Sequence, residues 1–261
     1  MTTDNSLKIL TSEQKESFEE NGYLFLPAIC STIEMEEIRQ EFHELISNME
    51  GKPEAMKYSL MDPALGYPID PYNPINVQGI MDHPLANDYW FNNLIDPRIV
   101  KVFIDLLGPN IDSSIMGKVR NNPPGFTDTQ GWPQDWPYER HSKPELAASI
   151  IYLDHTEFNA GSTSVVPGTH KNGEWKTQDG RTVSNNRISH DDVITLSAKP
   201  GDVLFIHVLV IHSAGNNFTS KSRHKIINEY KTQDAIDQWG NQCAFAGLPL
   251  ARNGRVVLSQ I

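Results

Sequence analysis

Three side chains able to bind or transfer charge stand at separated points of the chain. Asp135 closes the run Trp132-Pro133-Gln134-Asp135, His212 opens His212-Ser213-Ala214-Gly215-Asn216-Asn217, and Arg223 follows the histidine by eleven residues. A carboxylate and an imidazole facing one cavity exchange protons, and the same two groups are transition-metal ligands. A guanidinium grips a planar carboxylate through two parallel hydrogen bonds. A long gap separates Asp135 from His212, so only a closed tertiary structure brings them together.

The elements that must do this are legible in outline. Thr11 and Gln14 form a capping box before a short helix that Asn21-Gly22 ends. Tyr23-Leu24-Phe25-Leu26 reads as a buried strand. Ser31 and Glu34 open a second helix, along which Met35, Ile38, Phe42, Leu45, Ile46 and Met49 recur at helical spacing. Residues 51–84 are rich in Pro, Gly, Asp, Asn and Tyr and read as a long ordered loop, a candidate lid or surface excursion. Asp96-Pro97 starts a further helix with Val100, Phe103, Ile104 and Leu107 inward, and Gly108-Pro109 stops it.

From Ile111 onward short apolar runs alternate with turn residues. They are Ile115–Val119, Ala148–Leu153, Ser164–Val166, Val193–Leu196, Asp202–Ile206 and Lys225–Tyr230. Helices first and short strands afterward predict a mainly β fold, a jelly-roll barrel under an N-terminal helical cover. One domain is expected over 1–261. The helical cover spans about 11–108, the barrel core about 111–230 and a C-terminal tail 231–261.

The chain has 261 residues and a formal net charge of −11. The acidic balance excludes a nonspecific nucleic-acid binder and offers no general attraction to anionic membranes. Cys30 and Cys243 are isolated, which excludes a disulfide scaffold. Met1–Leu10 carries no long apolar run, so neither signal peptide nor membrane anchor is expected and a cytoplasmic location is the default. A monomer or homodimer is expected.

These pieces, with the central segment Asn159-Ala160-Gly161-Ser162-Thr163-Ser164-Val165-Val166-Pro167-Gly168-Thr169-His170, resemble the phytanoyl-CoA dioxygenase (PhyH-like) family of Fe(II)/2-oxoglutarate oxygenases. The resemblance runs from Thr11 through Tyr230. It implies a double-stranded β-helix of the cupin-like kind, with iron and 2-oxoglutarate as cofactors and a small organic substrate. It places Asp135 and His212 as metal ligands and catalytic residues, and Arg223 on the distal carboxylate of 2-oxoglutarate with Ser222 beside it. Lys118 matches a basic residue that some members direct toward the cosubstrate, and Arg120 is the near alternative. Asn159, Gly161, Pro167, Gly168 and His170 are expected to shape loops.

The chain departs from the family at one point. Histidine would normally precede Asp135 by two residues; here Pro133 stands there. Gln134, His141, His155-Thr156-Glu157 and His190-Asp191-Asp192 are the substitutes weighed for the missing ligand. With iron, the resemblance implies hydroxylation, desaturation or ring formation on a small or medium metabolite. Without it, Asp135 and His212 would serve a non-oxidative enzyme, with Trp132, Trp136 and Tyr138 lining the cavity, or the fold would serve binding alone.

Overall fold

The computed structural model describes residues 9–48, 50–53, 56, 58–60, 77–127, 131–177, 182–240 and 243–258. Helix α1 (Ser12–Asn21) begins at Thr11, whose hydroxyl accepts from Gln14 N while the Gln14 side chain accepts from Thr11 N. It ends at Gly22, whose φ of 76° lies in the left-handed region. Strand β1 (Tyr23–Leu26) follows directly. Helix α2 (Thr32–Ser47) carries the reciprocal Ser31–Glu34 cap and buries Met35, Ile38, Phe42, Leu45 and Ile46; Met49 lies outside the described residues.

The stretch 51–84 is not one unbroken loop, which corrects the sequence expectation. Strands β2 (Tyr58–Leu60) and β3 (Val77–Met81) pair with each other, and β3 joins the main sheet. Val77 and Ile80 are buried there, so two short apolar anchors outweigh the turn-rich composition. Of the 51–84 candidate lid, residues 54–55, 57 and 61–76 lie outside the described residues. Helix α3 (Asp88–Leu94), capped by the Asn87 side chain, escaped the sequence reading. Helix α4 (Pro97–Leu107) starts at the Asp96 cap with proline in its first turn.

The strands that follow are β4 (Ile111–Asn122), β5 (Trp132–Pro133), β6 (Leu146–Tyr152), β7 (Thr163–Val166), β8 (Thr182–Val183), β9 (Ile194–Leu196), β10 (Val203–His207), β11 (Ile211–Ala214) and β12 (Arg223–Thr232). The tail adds β13 (Pro249–Arg252) and β14 (Arg255–Val256), with Leu250 and Ala251 fully buried. The large sheet runs β1-β10-β6-β12-β4-β13-β14, with β2 and β3 joined at β4. A three-stranded sheet, β11-β7-β9, and the pair β5-β8 complete the β structure. The whole is a curled, partly open half-barrel with flanking helices.

One apolar layer lies between the helices and the outer face of the large sheet. Phe103 of α4 stacks on Tyr230 of β12 at 4.2 Å and meets Phe205 of β10 edge-on at 5.3 Å. A second layer, with Ala148, Ile150, Tyr152, Leu204 and Ile206 meeting Val165 and Val210, joins the inner face to the small sheet. Among the described residues no helix is long and apolar enough to cross a membrane.

Candidate functional site

A cavity of about 200 Å³ opens where the two sheets part beyond that inner layer. One wall comes from β4 and β12. Lys118, Arg120 and Asn122 alternate along β4 and so share a face. Lys225 and Ile227 do the same on β12. The antiparallel register sets Lys118 opposite Ile227 and Arg120 opposite Lys225. Two cations thus stand directly across from each other, an arrangement that is unfavourable without an anion nearby. Lys225 is only 4 % exposed. Its ammonium donates to Gly161 O at 2.7 Å and lies 5.5 Å from the Tyr152 ring centre.

The opposite wall is built from β5, the turn after it, and β11. Asp135 N and Trp136 N both donate to Val208 O, and Tyr138 N and Glu139 N donate to Asp135 O. This helical turn puts the Asp135, Tyr138 and Glu139 side chains on the cavity. Gln134 points elsewhere. Its buried amide donates to Gly173 O and Leu209 O and accepts from Trp175 N. Trp136 packs with Leu146, Val208 and Leu209, and Trp132 with the cluster around Ile211. Of the three aromatic residues expected to line a cavity, Tyr138 does so.

His212 lies on β11 opposite Val165 of β7. Its Nδ1 is 3.1 Å from Val210 O. A carbonyl only accepts, so Nδ1 carries a hydrogen and Nε2 is the ring nitrogen turned to the cavity. Nε2 faces Asp135 Oδ1 at 3.7 Å, beyond hydrogen-bonding range. Barrel closure therefore brings together the two residues that 76 positions separate in sequence.

The structure places Arg223 differently from Lys118. Lys118 lines the cavity, whereas Arg223 folds back on its own turn, its Nη1 donating to Lys221 O and Ser222 O. Arg223 begins the inner-face row of β12 that continues to Lys225, and its Cβ and Cγ lie 3.5 Å from where a Cβ on Gly161 would stand. Gly161 has φ 72°, which a side chain would strain. His170 serves structure: its ring lies against Gly22 and its Nε2 contacts Glu19 O. His141 Nδ1 is on Glu139 O, His155 and Glu157 are exposed at 3.8 Å, and none of them lines the cavity.

Sequence reasoning missed a buried acid pair. Glu139 and Glu229, each 3 % exposed, hydrogen-bond each other beside Lys118 and Asp135. Burial, then the neighbouring carboxylate, holds Glu139 well above the usual range. Burial raises Glu229 to about 7. Lys225 was missed as well. Its only sequence signal is position: a lysine two residues after Arg223, directly before Ile226-Ile227.

Comparison with known proteins fits this architecture. The phytanoyl-CoA dioxygenase (PhyH) family pattern matches residues 18–225, and the chain belongs to that family. It is 30% identical over 249 residues to the peroxisomal phytanoyl-CoA dioxygenase of Mus musculus, covering 89% of this chain and 71% of the mouse protein. It is 27% identical to the human protein over 248 residues, with 89% and 71% covered. Among solved structures, the epimerase SnoN in complex with Fe3+, alpha ketoglutarate and nogalamycin RO superposes with a TM-score of 0.71. It shares 16% identity, with 95% of this chain and 96% of SnoN covered. EctD from S. alaskensis with 2-oxoglutarate and 5-hydroxyectoine gives 0.72 at 15% identity, with 100% and 88% covered. The fold is therefore the double-stranded β-helix of iron/2-oxoglutarate oxygenases.

The donor set does not fit the iron of that class. Two histidines and one carboxylate on one face are required, and Pro133 lines the cavity with a ring that has no lone pair to offer. Among the described residues no group of three or more His, Cys, Asp or Glu side chains converges to hold a metal.

Proposed function

We propose that this chain uses an oxygenase-family cavity to bind a small organic acid, 2-oxoglutarate or a dicarboxylate of its size, and exchanges a proton with it at His212 Nε2. No resident iron takes part. The observation that carries this reading is the two-walled cavity itself. Lys118, Arg120 and Lys225 line one wall, and Asp135 and His212 face each other on the other beside Pro133. The cationic row offers charge-assisted hydrogen bonds to a carboxylate. The backbone tie at Nδ1 fixes the tautomer that makes His212 a base at Nε2. Arg223, next along the β12 row, is assigned to the far end of the same anion.

A second reading keeps the oxidative chemistry of the family. Asp135 and His212 would hold iron with two protein donors, and a small or medium metabolite would be hydroxylated, desaturated or cyclised. The convergence of Oδ1 and Nε2 at 3.7 Å favours it.

One experiment separates the two: anaerobic titration of the apo-protein with Fe(II), with and without 2-oxoglutarate, followed by absorption and calorimetry. The first reading expects 2-oxoglutarate to bind alone and no iron–2-oxoglutarate charge-transfer band to develop. A stoichiometric iron complex with that band establishes the second. Pro133→His should then raise Fe(II) affinity; an unchanged isotherm would show that the 133–135 backbone has diverged from a metal-binding geometry.

A further inference from the structure

Strand β12 begins at Arg223, and the rungs on its two sides are built differently. Toward β4 the register is regular, with Arg223 opposite Asn122 and His224 opposite Asn121. Toward β6 the ladder stops at Lys225 opposite Tyr152. One step further, Leu153 N donates to His224 O at 3.1 Å. In a regular antiparallel pair the return bond would run from His224 N to Leu153 O. Here His224 N donates instead to Asp154 Oδ2 at 2.8 Å, and Leu153 O accepts from the Arg39 guanidinium of α2. A side chain thus supplies the last rung before Arg223.

The same carboxylate oxygen lies 2.7 Å from His224 Nδ1. A carboxylate only accepts, so the ring and the backbone of His224 both donate to it. Arg39 Nε approaches the other oxygen, Oδ1, at 3.4 Å. Phe42 and His43, on the same helix, flank the His224 ring at 4.6 and 5.8 Å. Neither Asp154 nor His224 lines the cavity. Adjacent residues of a strand point to opposite faces, so fixing His224 beneath α2 fixes the backbone that aims Arg223 inward.

We infer that Asp154 is a positioning residue for Arg223: its carboxylate replaces the final β6–β12 rung, and Arg39 ties that carboxylate to helix α2. The grip on the far end of the ligand is thereby set from the helical cover. The inference rests on the reading of the cavity as a dicarboxylate site with Arg223 at its far end.

Calorimetry with 2-oxoglutarate on a double-mutant cycle of Asp154 and Arg223 tests it, with urea unfolding as the check on folding. Asp154→Ala should weaken 2-oxoglutarate about tenfold, the contribution of one charge-assisted hydrogen bond to the ligand. Asp154→Asn keeps an oxygen for His224 N and should recover most of that loss. In an Arg223→Met background, Asp154→Ala should change the affinity by less than about twofold, because the contact it acts through is gone. A merely structural Asp154 gives losses that add across the cycle. That result, or wild-type affinity in Asp154→Ala, overturns the inference and leaves the dicarboxylate reading standing. Unchanged affinity in Arg223→Met removes the assignment of Arg223 and the inference with it. No binding of 2-oxoglutarate to the wild-type chain overturns the dicarboxylate reading as well. If Asp154→Ala does not fold, Arg39→Met enters the same cycle. It leaves both bonds to His224 and should cost about threefold, again only while Arg223 is present; additive losses there overturn the inference equally.

Discussion

Alternate residues of β12 look out on two different environments. Ile226 and Tyr230 enter the apolar layer beneath the helices, whereas Lys225 and Ile227 line the cavity. The outer face is finished by the chain's own helices: Phe42 lies 4.6 Å from the His224 ring, and Tyr230 donates to Leu94 O. The inner face carries an opposed Arg120 and Lys225, the Asp135–His212 pair at 3.7 Å, and the buried Glu139 and Glu229 carboxyls. One strand thus stabilises the fold with one set of side chains and lines the cavity with the other.

The contrast is broken most forcefully from the outer side. Phe103→Ala should cost about 3–5 kcal/mol, because it empties a fully buried aromatic site against Tyr230 and Phe205. Urea unfolding monitored by far-UV circular dichroism checks this; a loss under 1 kcal/mol, roughly the cost of a surface change, would mean that the helices do not close that face. Lys225→Met should weaken 2-oxoglutarate by about 1.5–3 kcal/mol, read by calorimetry, with little change in unfolding. Equal damage to folding would make Lys225 a structural pin of Gly161.

The two faces should also titrate with opposite sign. Glu229, on the inner side, is raised from 4.5 to about 7, so the folded chain holds its proton more tightly than the unfolded chain does. Its contribution is complete below 4.5 and is lost as pH rises to about 7. Glu34, on the helical side, is held down at about 2, chiefly by its hydrogen bond from Arg98. Its contribution is complete above 4.5 and is lost as pH falls to about 2. Thermal melts across pH should show Glu229→Gln flattening the neutral limb and Glu34→Gln the acid limb. The smallest effect is expected at the edge of the molecule. Thr11→Ala should cost about 1 kcal/mol by removing one half of the α1 capping box, and a change in ligand affinity with it would contradict the separation of the faces.

The outer face was largely readable from the amino acids. The capping boxes at Thr11 and Ser31, the apolar spacing of Met35, Ile38 and Phe42, and the Asp96-Pro97 start are local signals, and each acts within a turn or two of helix. Among the strands that escaped the sequence reading, two have remote partners: β3 gains its place from β4, and β13 pairs with a strand more than a hundred residues earlier. The inner face was legible only in part. Asp135 and His212 announced themselves by type and by family pattern, yet Lys225 and Glu229 read as ordinary members of a strand. Their meaning comes from register, which sets Lys225 against Arg120, and from the turn after β5, which brings Glu139 to Glu229. The guanidinium of Arg223 adds a detail that its sequence position does not announce: Nη1 donates to the Lys221 and Ser222 carbonyls of its own turn.

Gln134 has a consequence for the history of this chain. Its amide is fastened to Gly173, Leu209 and Trp175 on the side away from the cavity, so the strand is held in place whatever residue stands at 133. The residue at 133 and the anchoring of the backbone that aims Asp135 are thereby separate. The backbone angle that proline fixes is one every other residue adopts readily. A two-histidine, one-carboxylate set and the present one therefore differ by one replacement, at position 133.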